Sequence, residues 1–441
     1  MAHPIDEPQR GTLSRSDLSR TGARTGRAYD PAAGGRHSHV RAILAVLVLA
    51  LGLVAVVLAV GKPVFRGLAV DVARANPQAM SVSFVAGLVG EQLQLDQKLS
   101  TPAGDDPSPI KFVVSDGETA SQVAQQLADQ GLITEPLVFE YLTITGGQTQ
   151  QIQAGTYLLN LQMTPSDIVG VLAQSPPTDI RVTLALRTGL RLEQITAYLE
   201  TRPLRKEVAG EFYQLATNPT ADLRADYPFL ATLPQGRSLE GYLGAGTFAV
   251  DPDVTGEQIV RLLLDTWDKQ IGQTALADAA ARKLDFYQVL TLASIVEMEV
   301  AVDEERPLVA GVYTNRLDPK KWSTRLLNAD PTVIYANDTM QLRTLPFDQW
   351  RLYSFWEPLK VALAGLQVPS DLQSYQTYVT PGLPDGPIAT PTLASIEAAI
   401  APDISTGYLY FVAKNDGSRT HAFARTYAQH QANLKKYGYI K

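Results

Sequence analysis

Residues Ala42 to Gly61 carry no charged side chain and are almost all Ala, Val, Leu and Ile. Twenty such residues, at about 1.5 Å rise each, span a hydrocarbon core of roughly 30 Å, so the run predicts a transmembrane helix. A secretory h-region is shorter and lies closer to the chain start than this run, which has 41 residues ahead of it. The run therefore reads as an uncleaved anchor. Arg10, Arg15, Arg20, Arg24, Arg27, Arg36 and Arg41 precede it, whereas Lys62, Arg66 and Arg74 are the only nearby cations beyond it. The positive-inside rule puts the N-terminus in the cytoplasm and everything after Gly61 outside. The apolar stretch from Phe84 to Gly90 is too short to cross back.

At 441 residues the chain is long for one domain, and 45% hydrophobic residues are enough to bury a real core. A net charge of −7 argues against nucleic acid as a partner, because phosphate neutralisation needs basic surface. The absence of cysteine removes thiol catalysis, thiolate metal sites and disulfides together.

The expected fold class is α+β: the anchor, a small α+β module, then a mixed α/β domain. Residues 1–41 are rich in Gly, Ser, Arg and Pro and predict a disordered tail. Residues 62–109 form a partly helical stalk that ends in the linker Thr101-Pro-Ala-Gly-Asp-Asp-Pro-Ser-Pro109. In residues 110–178, Lys111–Val114 predicts a strand. Helical spacing of Val123, Ala124, Leu127 and Ala128 follows, with Gly131 as the stop. A helix near Pro136 to Thr143, a strand at Gly155–Leu158 and a helix opened by Thr164-Pro165 complete this unit. Its strand–helix–helix–strand order resembles the LysM-like modules attached to some cell-wall enzymes. Residues 179–441 form the larger domain. Arg181–Leu186 alternates as a strand, 206–283 is mostly helical, and Tyr408–Val412 is a second strand.

Ala293-Ser-Ile-Val-Glu-Met-Glu299 places two carboxylates on a mostly apolar helix that Asp285 can cap, with Gln288 as its partner. At 100° per residue, Glu297 and Glu299 flank the apolar stripe on opposite sides. Only one can face a given bond; the other must pair or meet solvent. Periodicity does not choose between them. Asp303, four residues on, would raise the pKa of Glu299 if the helix continued, and a raised pKa suits a general acid near neutral pH. Asp330-Pro331-Thr332 and the Gly382–Pro391 segment read as rigid loops, the second a preorganised wall. His-x-x-Glu-His and Gly-x-Ser-x-Gly patterns are absent, which argues against a zinc hydrolase and a serine esterase.

These segments, in order with Val312–Leu317, Asp330–Tyr335, Tyr375–Tyr378, Gly382–Pro391, Tyr408–Val412 and the His421 and Phe423 segment, resemble the endolytic murein transglycosylases of the YceG-like type. The resemblance covers roughly Ile110 to Tyr437. It implies lytic cleavage of the β-1,4 bond between N-acetylmuramic acid and N-acetylglucosamine within a nascent strand, giving 1,6-anhydro ends and limiting strand length. It implies Glu299 as the acid, with Glu240, Glu297, Asp330, Thr332, Tyr375, Thr377, Thr390 and His421 as substrate-binding residues. It calls for no metal or cofactor. The implied partners are peptidoglycan strands, the plasma membrane and synthases of the elongation or division machinery, with the larger domain outside the cell.

The chain departs from the pattern at several points. Gly244-Ala-Gly-Thr-Phe248 stands where an aromatic, Pro and Asp usually follow Leu239-Glu-Gly-Tyr-Leu243. Ala329 replaces a common Ser or Thr, Thr188 a usual Glu, and Gln376 a usual Asn. Two other readings stay open. A hydrolytic muramidase would need a water and a base carboxylate, for which Asp330 or Glu240 is available. A peptidoglycan-binding scaffold would fit the lost loop carboxylate.

Overall fold

The structure is a computed structural model that describes residues 36–441. Most of the expected disordered tail therefore lies outside the described residues. Two units are distinguished, residues 1–69 and 70–441.

Helix α1, Arg36–Ala75, begins six residues before the uncharged run and continues well past it. Its apolar side chains face outward, Ile43, Val46, Leu49 and Leu53 among them. A water-soluble helix would hide such residues. Among the described residues it is the one helix long and apolar enough to cross a membrane.

Helix α2, Ser83–Leu95, precedes a compact group of elements: β1 (Ile110–Val114), α3 (Ala120–Asp129), α4 (Pro136–Thr145), β2 (Gly155–Leu159) and α5 (Pro165–Leu172). The two strands pair antiparallel with Phe112 opposite Tyr157. Alternation puts Phe112, Val114, Tyr157 and Leu159 on one buried face. They pack there against Val123, Leu127, Phe139, Ile168 and Leu172, each side chain contributing about 1.5–3 kcal/mol by leaving water. Reciprocal capping boxes open α3 (Thr119 with Gln122) and α5 (Thr164 with Asp167), satisfying amides that the first helical turn leaves free. Gly131, with φ 71°, ends α3 in a left-handed conformation that a Cβ would strain.

A second, larger core holds the remaining elements. These are β3 (Val182–Leu186), α6 (Leu192–Leu199), α7 (Val208–Thr217), α8 (Ala221–Asp226), β4 (Gly246–Val250), α9 (Gly256–Gln270), α10 (Gly272–Ala281), α11 (Phe286–Glu299), α12 (Arg306–Leu317), α13 (Asp330–Leu342), α14 (Leu393–Ile400), β5 (Tyr410–Ala413), β6 (His421–Ala424) and α15 (Tyr427–Lys436). The fold is mixed helix and sheet. Its sheets are two-stranded antiparallel pairs, β3 with β4 and β5 with β6 among them. Strand β4 lies in a region expected to be helical. It pairs with β3 across some sixty residues, Leu184 opposite Phe248, and buries fully only Val250, so its own alternation is faint.

Helix α11 is the spine of this core. Leu290, Ala293, Ile295 and Val296 are fully enclosed. Ser294 accepts no solvent: its hydroxyl caps Thr291 carbonyl and receives the Ile388 amide at 3.0 Å, which ties the proline-rich segment to the helix. Asp285 caps the other end by accepting from the Gln288 amide.

Candidate functional site

Helix α11 stops at Glu299, where Val300 turns to an extended backbone (φ −108°, ψ 128°). Its two carboxylates leave in different directions. The Glu297 Oε2 atom accepts from Arg306 Nη1 (2.9 Å), the Thr392 amide (3.0 Å) and hydroxyl (2.7 Å), and Ser395 Oγ (2.8 Å). Glu297 is thus a clamp between α11, α12 and the start of α14.

Glu299 instead faces a cavity of about 460 Å³ lined by Arg316, Asp330, Tyr378, Tyr410, His421 and His430, among others. Its Oε1 accepts from the buried Tyr313 hydroxyl at 2.6 Å. Burial disfavours the charged form, and the nearby Asp330 carboxylate adds to this. The Tyr313 bond and the Arg316 guanidinium oppose it, and the balance leaves the Glu299 carboxyl at about 7. The expected contribution of Asp303 is not found. Because α11 has ended, Asp303 turns away and pairs with Arg306 Nε at 2.8 Å, its side chain 75% exposed. A carboxyl poised near 7 is protonated in a large fraction of molecules at neutral pH and can donate a proton.

Asp330 is the first residue of α13, not part of a loop; Pro331 occupies the first turn, where its missing N–H costs nothing. Asp330 Oδ1 accepts from Tyr378 Oη at 2.5 Å. Thr332 and Thr377 lie beneath it. Their hydroxyls meet at 2.9 Å, and Thr377 also receives the Ala329 amide. Both are fully buried, so they fix the Asp330 turn against the Tyr375–Tyr378 segment rather than face the cavity.

His421, on β6, lines the same cavity as Glu299. Its Nδ1 lies 2.7 Å from Glu305 Oε2, and its amide donates to the same carboxylate. A carboxylate only accepts, so the Nδ1 position carries a proton directed at Glu305. Arg316 is held by the Leu409 and Leu327 carbonyls. His430 stacks on Tyr410 with ring centres 5.0 Å apart, and burial lowers its pKa.

The structure thus brings Glu299, Asp330 and His421 together around one cavity. Glu240 and Tyr375 line a different one. Glu297, Thr332 and Thr377 are interior links. Thr390 is also buried, its backbone joined to Leu190 and Gly189. Arg316, Tyr378, Tyr410 and His430 complete the lining of the Glu299 cavity, and Tyr313 bonds Glu299 from the interior; none of the five is among the site residues named from the sequence. Four of them lie inside segments quoted above, but only folding shows that Tyr313 reaches a carboxylate fourteen residues away.

Comparison with known proteins matches residues 112–436 to a family described as the YceG-like family. An endolytic murein transglycosylase of Bacillus subtilis is 29% identical over 349 residues, 76% of this chain and 86% of that protein. One from Streptococcus pneumoniae is 26% identical over 368 residues, 80% of this chain but only 62% of the relative. A solved structure of a YceG-like protein from Listeria monocytogenes shares 25% identity, covering 74% of this chain and 99% of its own, with a TM-score of 0.47. The match to the family spans most of the residues described, and the chain belongs to the YceG-like family.

Proposed function

We propose that this protein is a membrane-anchored lytic transglycosylase that cuts peptidoglycan strands internally, with Glu299 as its acid. The observation that carries the reading is the Glu299 carboxyl itself: desolvated, hydrogen-bonded by Tyr313, held near 7 and open to a cavity walled by aromatic and hydrogen-bonding groups. The names of its relatives support the enzyme class and murein as substrate.

In the proposed step Glu299 gives its proton to the glycosidic oxygen as the C1–O4 bond breaks. The muramyl 6-hydroxyl oxygen then bonds to C1 and returns its proton to the Glu299 carboxylate. No water is consumed, a 1,6-anhydro end forms, and the enzyme is restored. One carboxylate suffices, which agrees with Glu297 being turned inward. Acid catalysis of this kind contributes about 10²–10⁴-fold. A hydrolytic muramidase is the second reading, supported by Asp330, a carboxylate in the same cavity that could activate water.

The apolar helix supports a single-pass anchor, with the arginine asymmetry placing the larger domain outside. The βααβ order of residues 110–178 supports a LysM-like role in holding sacculi. Deleting these residues should weaken sacculus binding while soluble strands are still cut; unchanged sacculus binding would remove that role. The enzymatic reading is tested with purified full-length protein and uncrosslinked glycan strands. Shortened strands are expected from wild type. Intact strands after prolonged incubation would leave only a binding scaffold.

A further inference from the structure

The second cavity, of about 320 Å³, is lined by Tyr375 where the first is lined by Tyr378, and it includes Glu240. Glu240 is 3% exposed. Its Oε2 accepts from the Leu192 amide at 3.1 Å, but its buried Oε1 has no hydrogen-bond partner among the described residues. An unmade bond at a buried carboxyl is costly in a resting fold and calls for an explanation. Burial and the neighbouring Glu193 hold Glu240 well above the usual carboxylate range, while Arg191 is already committed to Glu193 at 2.7 Å. The unpartnered atom therefore belongs to a neutral carboxylic group, able to give or take one hydrogen bond from whatever enters.

The walls are tyrosine. Arg191 lies 3.9 Å over the Tyr335 ring, and Tyr335 packs against Tyr375 at 4.9 Å, so both rings are fixed in place. The hydroxyls of Tyr287 and Tyr375 converge on Gly386. A Cβ there would sit 2.4 Å from the first and 3.3 Å from the second, which gives this glycine of the Gly382–Pro391 segment a specific task. No hydrogen bond from another described residue engages either hydroxyl. At the rim, Arg237 is neutralised by Asp385 and Arg343 by Asp371. Aromatic faces, free hydroxyls, one neutral acid and a charge-balanced mouth suit an uncharged polyol carrying an amide. An anionic stem peptide would find no unmatched cation here.

The two cavities share their framework. Helix α13 brings Asp330 to the first and Tyr335 and Thr339 to the second, offset by roughly 8–14 Å of helix rise. Tyr378 and Tyr375, three residues apart, do the same from the other wall. We propose that the Glu240 cavity is a distal saccharide subsite, holding an N-acetylated hexosamine ring of a strand away from the bond being cut. This rests on the carbohydrate reading above, and it gives a physical basis for internal cutting, since a chain gripped at two places is held away from its ends.

The test uses the full chain carrying Glu299→Gln, which slows any turnover of ligand, titrated with chitotetraose by calorimetry in detergent micelles. Adding Tyr375→Phe removes one hydroxyl and keeps the ring. Affinity should fall at least about fivefold, the worth of one hydrogen bond, with no change in melting temperature. Adding Gly386→Ala should weaken binding further by displacing the Tyr287 hydroxyl. Chitotetraose affinity unaffected by Tyr375→Phe, or no chitotetraose binding at all, overturns the subsite. Failure of the enzymatic reading looks different: wild type cuts no strand, yet Tyr375-dependent saccharide binding persists.

Discussion

Replacing Glu299 by Gln should stabilise the protein in a pH-dependent way. The folded structure raises this carboxyl from 4.5 to about 7. Between those values the native state keeps a proton that the unfolded chain releases. On this group's account, wild-type stability is full below about 4.5, declines as pH rises through about 7, and is flat above. Raising the carboxyl from 4.5 to about 7 corresponds to about 3.5 kcal/mol of stability lost on ionisation. Glutamine never ionises, and its carbonyl can still accept from Tyr313, so the variant escapes this loss while keeping the bond. The two proteins should melt at similar temperatures near pH 4.5. By pH 8.5 the variant should lead by on the order of 5–10 °C. Thermal unfolding across a pH series measures this directly. A difference that stays constant with pH would show that Glu299 is not held protonated, and the argument for it as the acid would lose its physical basis.

The activity of wild type should fall as pH rises through about 7, because only protonated Glu299 donates. Tyr313→Phe removes a bond that favours the carboxylate, so this alkaline limb should move to higher pH. An unmoved limb would mean that another group controls it. Glu297→Gln should behave oppositely to Glu299→Gln. It breaks an almost buried pair with Arg306 and should cost about 3 kcal/mol in urea unfolding, while the folded fraction still cuts strands. Full loss of activity with unchanged stability would reverse the roles assigned to the two residues. Protease added to spheroplasts should remove the larger domain; protection of the whole chain would refute the orientation drawn from the arginines.

Helix openings were the most legible part of the fold, because Thr164 and Asp285 announce them through local bonds within four residues. The divergence of Glu297 and Glu299 was legible for the same reason: 100° per residue separates them whatever surrounds the helix. What each carboxylate meets was not, since Arg306, Thr392 and Tyr313 arrive from other helices. Strand β4 escaped because its pairing partner is distant and its exposed face is small. Asp330-Pro331-Thr332 looked like a loop because proline breaks a helix interior, yet it is at home in a first turn. The family resemblance implied that Thr332 and Thr377 bind substrate. Their actual partners are each other and the Ala329 backbone, a long-range contact that no spacing reveals. The Glu299 pKa was expected to rise for a reason that fails, Asp303, and rises instead through burial and Asp330.

In the proposed mechanism Glu299 protonates the leaving oxygen and no water replaces it. Mass spectrometry of nascent peptidoglycan digested by wild type and by Glu299→Gln tests both halves at once. Wild type should yield muropeptides ending in 1,6-anhydro-muramic acid, lighter by one water than hydrolysis products, and Glu299→Gln should reduce them at least about a hundredfold. Reducing ends in place of anhydro ends, or anhydro ends that survive Glu299→Gln, would contradict it.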